Sequence, residues 1–366
     1  MRIAIIAPLD IRVPPVAYGG TELVVSLLTE AMVKRGHDIT LFASGDSVTG
    51  ARLHAVIPHF LRGTNRSKAL LNLLNTVSCL SQADRFDIIH NHTGEGMATA
   101  SLIKTPMLTT LHGHLDEDWR LAFSRYRGWY NTISQSAQAL LPAHEGFAGV
   151  VYNAIDVQSY PFNAGHREPH LLFLSRMSPE KGPHLAIEVA RRLGCQLVLA
   201  GNVDAVDEEF FKAVVFPQVD GDQIQYVGEA DYHLKRELLA QAYCLLAPLT
   251  WAEPFGLFLA EAMACGTPVI AFGRGAAPEV VKHGETGLIV HSLAEMAEAV
   301  SRVPTIDPHR YRAHVERHFD VPVMTDRYLA TYEFILTHAA SGKPWGAAAL
   351  STTRDRRVPD AAAAVR

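Results

Sequence analysis

Short apolar runs of β type alternate with helical apolar stripes along almost the whole chain, and no other feature narrows the fold so far. Strands joined through helices run parallel, so such a series builds a mostly parallel sheet covered by helices. In the first half, runs 2–7, 38–43, 86–91, 107–112, 130–134 and 149–152 read as strands. Residues 21–35 form the clearest helix, with Leu23, Val24, Leu27, Leu28, Ala31 and Met32 on one stripe and Gly36 ending it. The series breaks at "YPFNAGHREPH", where Pro161, Gly165 and Pro169 interrupt the periodicity. A second series follows, with strands at 170–176, 196–200, 224–228, 243–247, 268–272 and 287–290. The reading is α/β, with two parallel-sheet domains, 1–160 and 165–319, facing a central cleft between their strand C-terminal edges. After about residue 340 the pattern dissolves into what reads as a disordered tail, 340–366. Size agrees: 366 residues, 48% of them hydrophobic, exceed what one core usually holds.

Charge excludes one large class of partner. A net charge of −5 and a pI of about 6.4 leave no electrostatic footprint for nucleic acid. Cys79, Cys195, Cys244 and Cys265 form no CxxC pair and read as buried thiols in a reducing compartment. The opening "MRIAIIAPLD" has too short an apolar run for a signal-peptide core or a membrane span. The expectation is a cytoplasmic protein, with peripheral membrane contact left open and the oligomeric state unread.

Two places gather the chemistry of anion binding. Strand "HLLFLSRM" carries Arg176 at its end, and "SPEKGP" then opens a helix with Lys181, Gly182 and Pro183 at its first turn. Two cations, freed amides and the positive end of the helix dipole converge there, which suits a phosphate or diphosphate. In the first half, strand "IAIIAP" runs through a Pro-rich loop to Gly19 and Gly20, where backbone can approach a ligand and Thr21 can cap the next helix. The spacing is not that of a GxGxxG dinucleotide fingerprint.

The segment "TWAEPFGLFLAEAMACGTPVIA" sets Glu253 in a loop and Glu261 in the helix that follows. From the helix start near Gly256 to Glu261 is roughly 8 Å along the axis. A diphosphate between the two would leave Glu253 and Glu261 facing its flanking hydroxyls, a sugar on one side and a ribose on the other. Phe255 and Gly256 bring backbone amides close to phosphate or sugar. Glu261, among Ala260, Ala262 and Met263, sits where an unpartnered charge is unfavourable.

"EPFGLFLAE" resembles the E-x7-E motif of retaining glycosyltransferases of family 4, and "FLSRMSPEKG" resembles that family's Arg/Lys diphosphate element. "YGGTE", "TTLHG", "VYNAID" and "PEVVKHGETGLIV" match family patterns in the same order, so the resemblance covers about residues 1–335. It implies a GT-B fold: two Rossmann-like domains, the second binding a nucleotide sugar, with a last helix at about 320–338 returning to the first. Carried over by position, the resemblance places the donor diphosphate at Gly19, Gly20, Arg176, Lys181, Gly256 and Leu257. It places the donor sugar at His112, Glu253, Phe255 and Gly256, the ribose at Glu261 and the base beside Val227 and Gly228 in "YVGEADYH". His112, Glu253, Arg176 and Lys181 are the implied catalytic set. The implied reaction moves a hexosyl unit, with retention, from a UDP- or GDP-sugar to a hydroxyl of a glycan, lipid or small molecule, without a metal or other cofactor. "NAID" and "RGAAPE" depart from the usual family runs and leave the fine shape of the donor pocket open.

Other readings lead elsewhere. Asp116, Glu117 and Asp118 satisfy a metal-binding DxD, but in the wrong architecture, and read as a solvated loop. "HNH" at 90–92 closes an apolar strand without neighbouring ligands and reads as structural. Trp119, Tyr126 and Trp129 suit stacking on a sugar ring, and core packing explains them equally well. An epimerase or phosphorylase on the same fold, or a non-catalytic nucleotide-sugar sensor, would share the donor site and differ in chemistry. Acceptor recognition is expected in loops 9–18, 45–70 and 113–128.

Overall fold

A computed structural model describes residues 1–113, 117–125, 128–141, 146–165, 167–303 and 306–340. The segment read as a tail lies, from residue 341 on, outside the described residues, as do Asp116 and Tyr126. The first sheet contains β1 (Arg2–Ile6), β2 (Asp38–Phe42), β3 (Arg52–His54), β4 (Ile88–Asn91), β5 (Met107–Leu111), β6 (Trp129–Thr132) and β7 (Phe147–Val150). Its order is β3-β2-β1-β4-β5-β6-β7, and every pair is parallel. The second contains β8 (His170–Leu174), β9 (Gln196–Ala200), β10 (Ile224–Tyr226), β11 (Cys244–Ala247), β12 (Val269–Phe272) and β13 (Gly287–Val290), in the order β10-β9-β8-β11-β12-β13 and again parallel. Both orders reverse direction beside their first strand, which opens a crevice at the carboxyl edge.

Every strand expected from the sequence is present, its ends shifted by no more than two residues. The shifts at His112, Ser175–Arg176 and Val227–Gly228 share one cause: pairing stops where the chain leaves the sheet, and these residues sit just beyond. β3 escaped the sequence pattern because it is three residues long, carries a single aliphatic side chain in Leu53 and pairs only with β2 at the sheet edge.

The helices that frame the crevice are α1 (Gly20–Lys34), α2 (Lys68–Leu80), α3 (Pro183–Leu193), α4 (Tyr232–Gln241), α5 (Leu257–Ala264), α6 (Pro308–His318) and α7 (Val321–Ala340). Thr21 does not cap α1; Gly19 precedes the helix, and no capping side-chain hydrogen bond is made there. The chain crosses back to the first sheet through a bridge between Ile155 and Asp320. Met324, Tyr328, Tyr332 and Ile335 of α7 are buried in the same core as Ile3, Ile5, Leu28 and Leu108. Trp129 belongs to this core too, edge-on to Phe334 with ring centroids 5.7 Å apart, and does not offer a sugar platform. Trp119 is half-buried near Gly94. Cys79, Cys244 and Cys265 are buried thiols as expected, whereas Cys195 is only half-buried, because it follows the left-handed Gly194 in the turn into β9. Among the described residues no helix is long and apolar enough to cross a membrane.

A buried polar network fixes how α7 docks. The Tyr332 hydroxyl lies 2.6 Å from Nδ1 of His90 on β4, and His90 Nε2 lies 2.7 Å from Oγ1 of Thr110 on β5. Thr110 donates to Oδ1 of Asn131 on β6 at 2.7 Å and lies 3.2 Å from the Tyr328 hydroxyl. Burial holds the His90 imidazole well below its ordinary pKa. His90 therefore stays neutral in the fold at pH values where the unfolded chain takes up a proton, so its contribution is complete above about pH 6.5 and is lost as pH falls. The melting temperature is expected to drop on acidification from pH 7 to pH 5, and less steeply in a His90→Gln variant; identical slopes would contradict this assignment.

Candidate functional site

A cleft of about 320 Å³ opens between the carboxyl edges of the two sheets. Its size fits a small ligand. The first sheet contributes Gly19, Gly20 and His112; the second contributes Arg176, Lys181, Glu253, Gly256, Leu257 and Glu261. The sequence-derived residues thus converge, with two qualifications. Val227 and Gly228 lie outside the lining, and the wall there is made by Glu229 and Ala230, because the chain turns at Gly228 before it reaches the cleft. Phe255 is in the lining, but its ring is buried against Phe319, 5.4 Å between centroids, so the expectation there rests on its backbone and not on its side chain.

Two glycines make the helix starts possible. Gly182, before α3, has φ +78°, and a Cβ there would stand 2.3 Å from the Pro248 carbonyl oxygen. Gly256, before α5, has φ +82° and lies tight against Glu253 and Leu259. Any other residue would be strained at both places, and the turn at Gly256 brings the first amides and the positive end of α5 to the cleft, whereas at α3 it is Lys181, just before the helix, that reaches it. Leu257, the first residue of α5, packs against both hydrophobic cores. It faces Gly20, whose Cβ position lies 3.4 Å from Leu257 Cδ1, so the starts of α1 and α5 meet across the cleft.

The charges are paired before any ligand arrives. Lys181 Nζ is bonded to Glu253 Oε2, with 13% and 8% of the two side chains exposed. The ammonium also sits 4.7 Å from the Trp251 ring centroid, and Trp251 Nε1 donates to the same carboxylate oxygen at 3.0 Å. Arg176 is ringed by Glu180, Asp204 and Asp207, with Asp204 at 3.3 Å and Asp207 at 3.2 Å. Burial pushes the Asp207 carboxyl above its ordinary pKa, against the pull of Arg176. Glu261, 3% exposed, accepts from Lys235 Nζ at 2.5 Å and from the Tyr160 hydroxyl at 2.8 Å.

Lys235 and Tyr160 escaped the sequence reading. Lys235 is one of several charges on α4, and Tyr160 opens the Pro-rich run that reads as a linker. In the first sheet, Glu22 is buried in the first turn of α1, and burial pushes its carboxyl up to about 7. His112 Nε2 lies 2.8 Å from His92 Nδ1, and burial pushes the His112 imidazole down to about 4, so it is neutral at physiological pH. Glu117 and Asp118, from the acidic run, are exposed at the start of a helix. The walls also touch each other: Tyr18 N donates to Glu229 Oε1 at 3.1 Å, and Arg62 reaches Glu229 at 3.2 Å and Asp204 at 3.5 Å.

Two family models match consecutive parts of the chain. "Glycosyltransferase Family 4" covers residues 18–159 and "Glycosyl transferases group 1" covers residues 156–314. Among curated relatives, the alpha-maltose-1-phosphate synthase of Mycolicibacterium smegmatis is 28% identical over 82% of this chain and 90% of its own. The phosphatidyl-myo-inositol mannosyltransferase of Mycobacterium leprae is 27% identical over 92% of this chain and 98% of its own. Among solved structures, Anabaena HepE in complex with UDP and glucose superposes with a TM-score of 0.72 at 20% identity, over 91% of this chain and all of that one.

The Lys181–Glu253 pair yields a stability test. Removing one member strands a buried charge, at a cost of about 3–5 kcal/mol, whereas removing both costs much less. Lys181→Met is expected to lose that amount in urea unfolding, and the Lys181→Met/Glu253→Gln double variant to recover most of it. Additive losses would mean that the pair is not coupled.

Proposed function

From the premise that this chain belongs to the family 4, group 1 glycosyltransferases with the GT-B fold, we propose that it transfers a hexosyl unit from a UDP- or GDP-sugar to a hydroxyl acceptor with retention of configuration. The observation that carries this reading is the set of charged and polar groups gathered in the cleft. Arg176 stands just beyond β8 and Lys181 just before α3, with Glu253 beside Lys181 and Glu261 five residues into α5 with Lys235 and Tyr160 on its carboxylate. A nucleotide sugar carries the complementary groups: a dianionic diphosphate for the cations, flanked by two sets of hydroxyls for the carboxylates. A structural neighbour solved with UDP and glucose is in keeping with such a donor.

Binding must exchange one set of ion pairs for another. The diphosphate takes over Arg176 and Lys181, and Glu253, released from Lys181, turns to the sugar hydroxyls while keeping the Trp251 indole. When the sugar–phosphate bond breaks, negative charge grows on the leaving diphosphate, where both cations and the amides at the start of α5 are already oriented. In the retaining reaction proposed here, the acceptor enters from the face the diphosphate leaves, and the leaving phosphate takes the acceptor proton. No protein nucleophile and no metal is required by this scheme. His112, neutral at working pH, offers a hydrogen bond to the sugar rather than a charge.

Calorimetric titration with UDP, GDP and their sugars tests the donor site. One nucleotide class is expected to bind, with an affinity loss of about tenfold or more in Arg176→Ala, the value of a charge-assisted hydrogen bond. A smaller loss is expected in Glu261→Gln. The anomeric form of the product, read by NMR, tests retention. Binding of none of these ligands would overturn the donor assignment, and an inverted product would overturn the mechanism.

A further inference from the structure

His92 is the one member of the "HNH" run whose partner lines the cleft. His90 is spent on the network beneath α7, with both ring nitrogens engaged by Tyr332 and Thr110. Asn91 is turned onto its own neighbourhood: its amide donates to the Thr93 carbonyl at 2.8 Å and its Oδ1 accepts from Thr93 Oγ1 at 2.8 Å. His92, 4% exposed, instead meets His112 through the 2.8 Å contact between Nδ1 and Nε2, with the two rings stacked and their centroids 5.1 Å apart. On its other side the His92 ring lies 4.0 Å, centroid to centroid, from that of His90, so the network below fixes its plane.

The remaining nitrogens matter most. His92 Nε2 and His112 Nδ1 are both buried and have no hydrogen-bond partner among the described residues. Buried polar atoms without partners are rare, and one at the wall of a ligand cleft is an unfilled requirement. With Nε2 of His112 taken by His92, only Nδ1 is left for a ligand.

We propose that His92 is a positioning residue that holds His112 so that its Nδ1 meets a hydroxyl of the donor hexose; this rests on the nucleotide-sugar reading above. One proton lies between the two neutral rings. If it sits on His112 Nε2, Nδ1 accepts from the sugar hydroxyl; if it sits on His92 Nδ1, the proton of His112 is on Nδ1, which donates to it. The pair therefore adapts to either role of a hydroxyl without forming a charge.

The test compares ligands with and without the sugar. Titrations of UDP against UDP-glucose, and of GDP against GDP-mannose, are made with the full chain and with His92→Phe, His92→Asn and His92→Gln. The Asn amide reaches the place of Nδ1 and can still bond His112, whereas the Gln amide falls nearer the place of Nε2. In Phe and Gln variants the nucleoside diphosphate is expected to bind within about twofold of wild type, while the extra affinity from the sugar falls about five- to tenfold. Asn is expected to restore most of it. Equal behaviour of Asn and Gln, an unchanged sugar increment in Phe, or a parallel loss for nucleoside diphosphate and nucleotide sugar would overturn the role of His92. If wild type binds no nucleoside diphosphate, the donor reading itself fails and this inference with it.

Discussion

Parallel strand direction is the constraint from which the rest follows. Because every strand in both sheets runs the same way as its neighbours, each βα connection emerges on the same edge, and each following helix points its amino end there. The edge of each sheet thus collects free amides, strand-end side chains and glycine turns. Two such edges facing each other produce a cleft lined by the starts of α1 and α5 and by Lys181 just before α3. The electrostatic character of the site is thereby largely settled by backbone direction, before side chains are considered.

Side chains then solve a problem that the cleft creates. The cleft holds cations in partly dry surroundings, where an unpaired charge is costly. Here each cation has a carboxylate: Lys181 has Glu253, Arg176 has Glu180, Asp204 and Asp207, and Lys235 has Glu261. The Lys181 pair is compact and buried, which locks the geometry. The Arg176 cluster is more open and its carboxylates are shared, so it is the softer contact to exchange for phosphate.

What the sequence disclosed and what it hid divide along physical lines. Periodicity located both sheets, because burial on two faces leaves an apolar signature in every central strand; it missed β3, an edge strand with little to bury. The glycine–cation–carboxylate residues were legible because each lies within one turn or one helix of its partner in the motif. Lys235 and Tyr160 were hidden because they reach Glu261 from 26 and 101 residues away, and no local spacing encodes such a contact. The two ends of "HNH" differ in the same sense. His90 behaves as the buried structural histidine that its strand position suggests, while the partner of His92 sits on the next strand, 20 residues on.

The contacts across the cleft connect these two kinds of information. Asp204 offers one oxygen to Arg176 and the other to Arg62, so it belongs at once to the anion site and to the seam between the sheets. A diphosphate that draws Arg176 away leaves Asp204 with Arg62 as its remaining cation, and the seam gains what the anion site gives up. Glu229 works beside it, tying Tyr18 and Arg62 of the first half to the wall next to Gly228. Leu257 adds an apolar contact to both cores at the same seam. The cation cluster at Arg176 and the seam between the two walls therefore share charged groups, Asp204 above all.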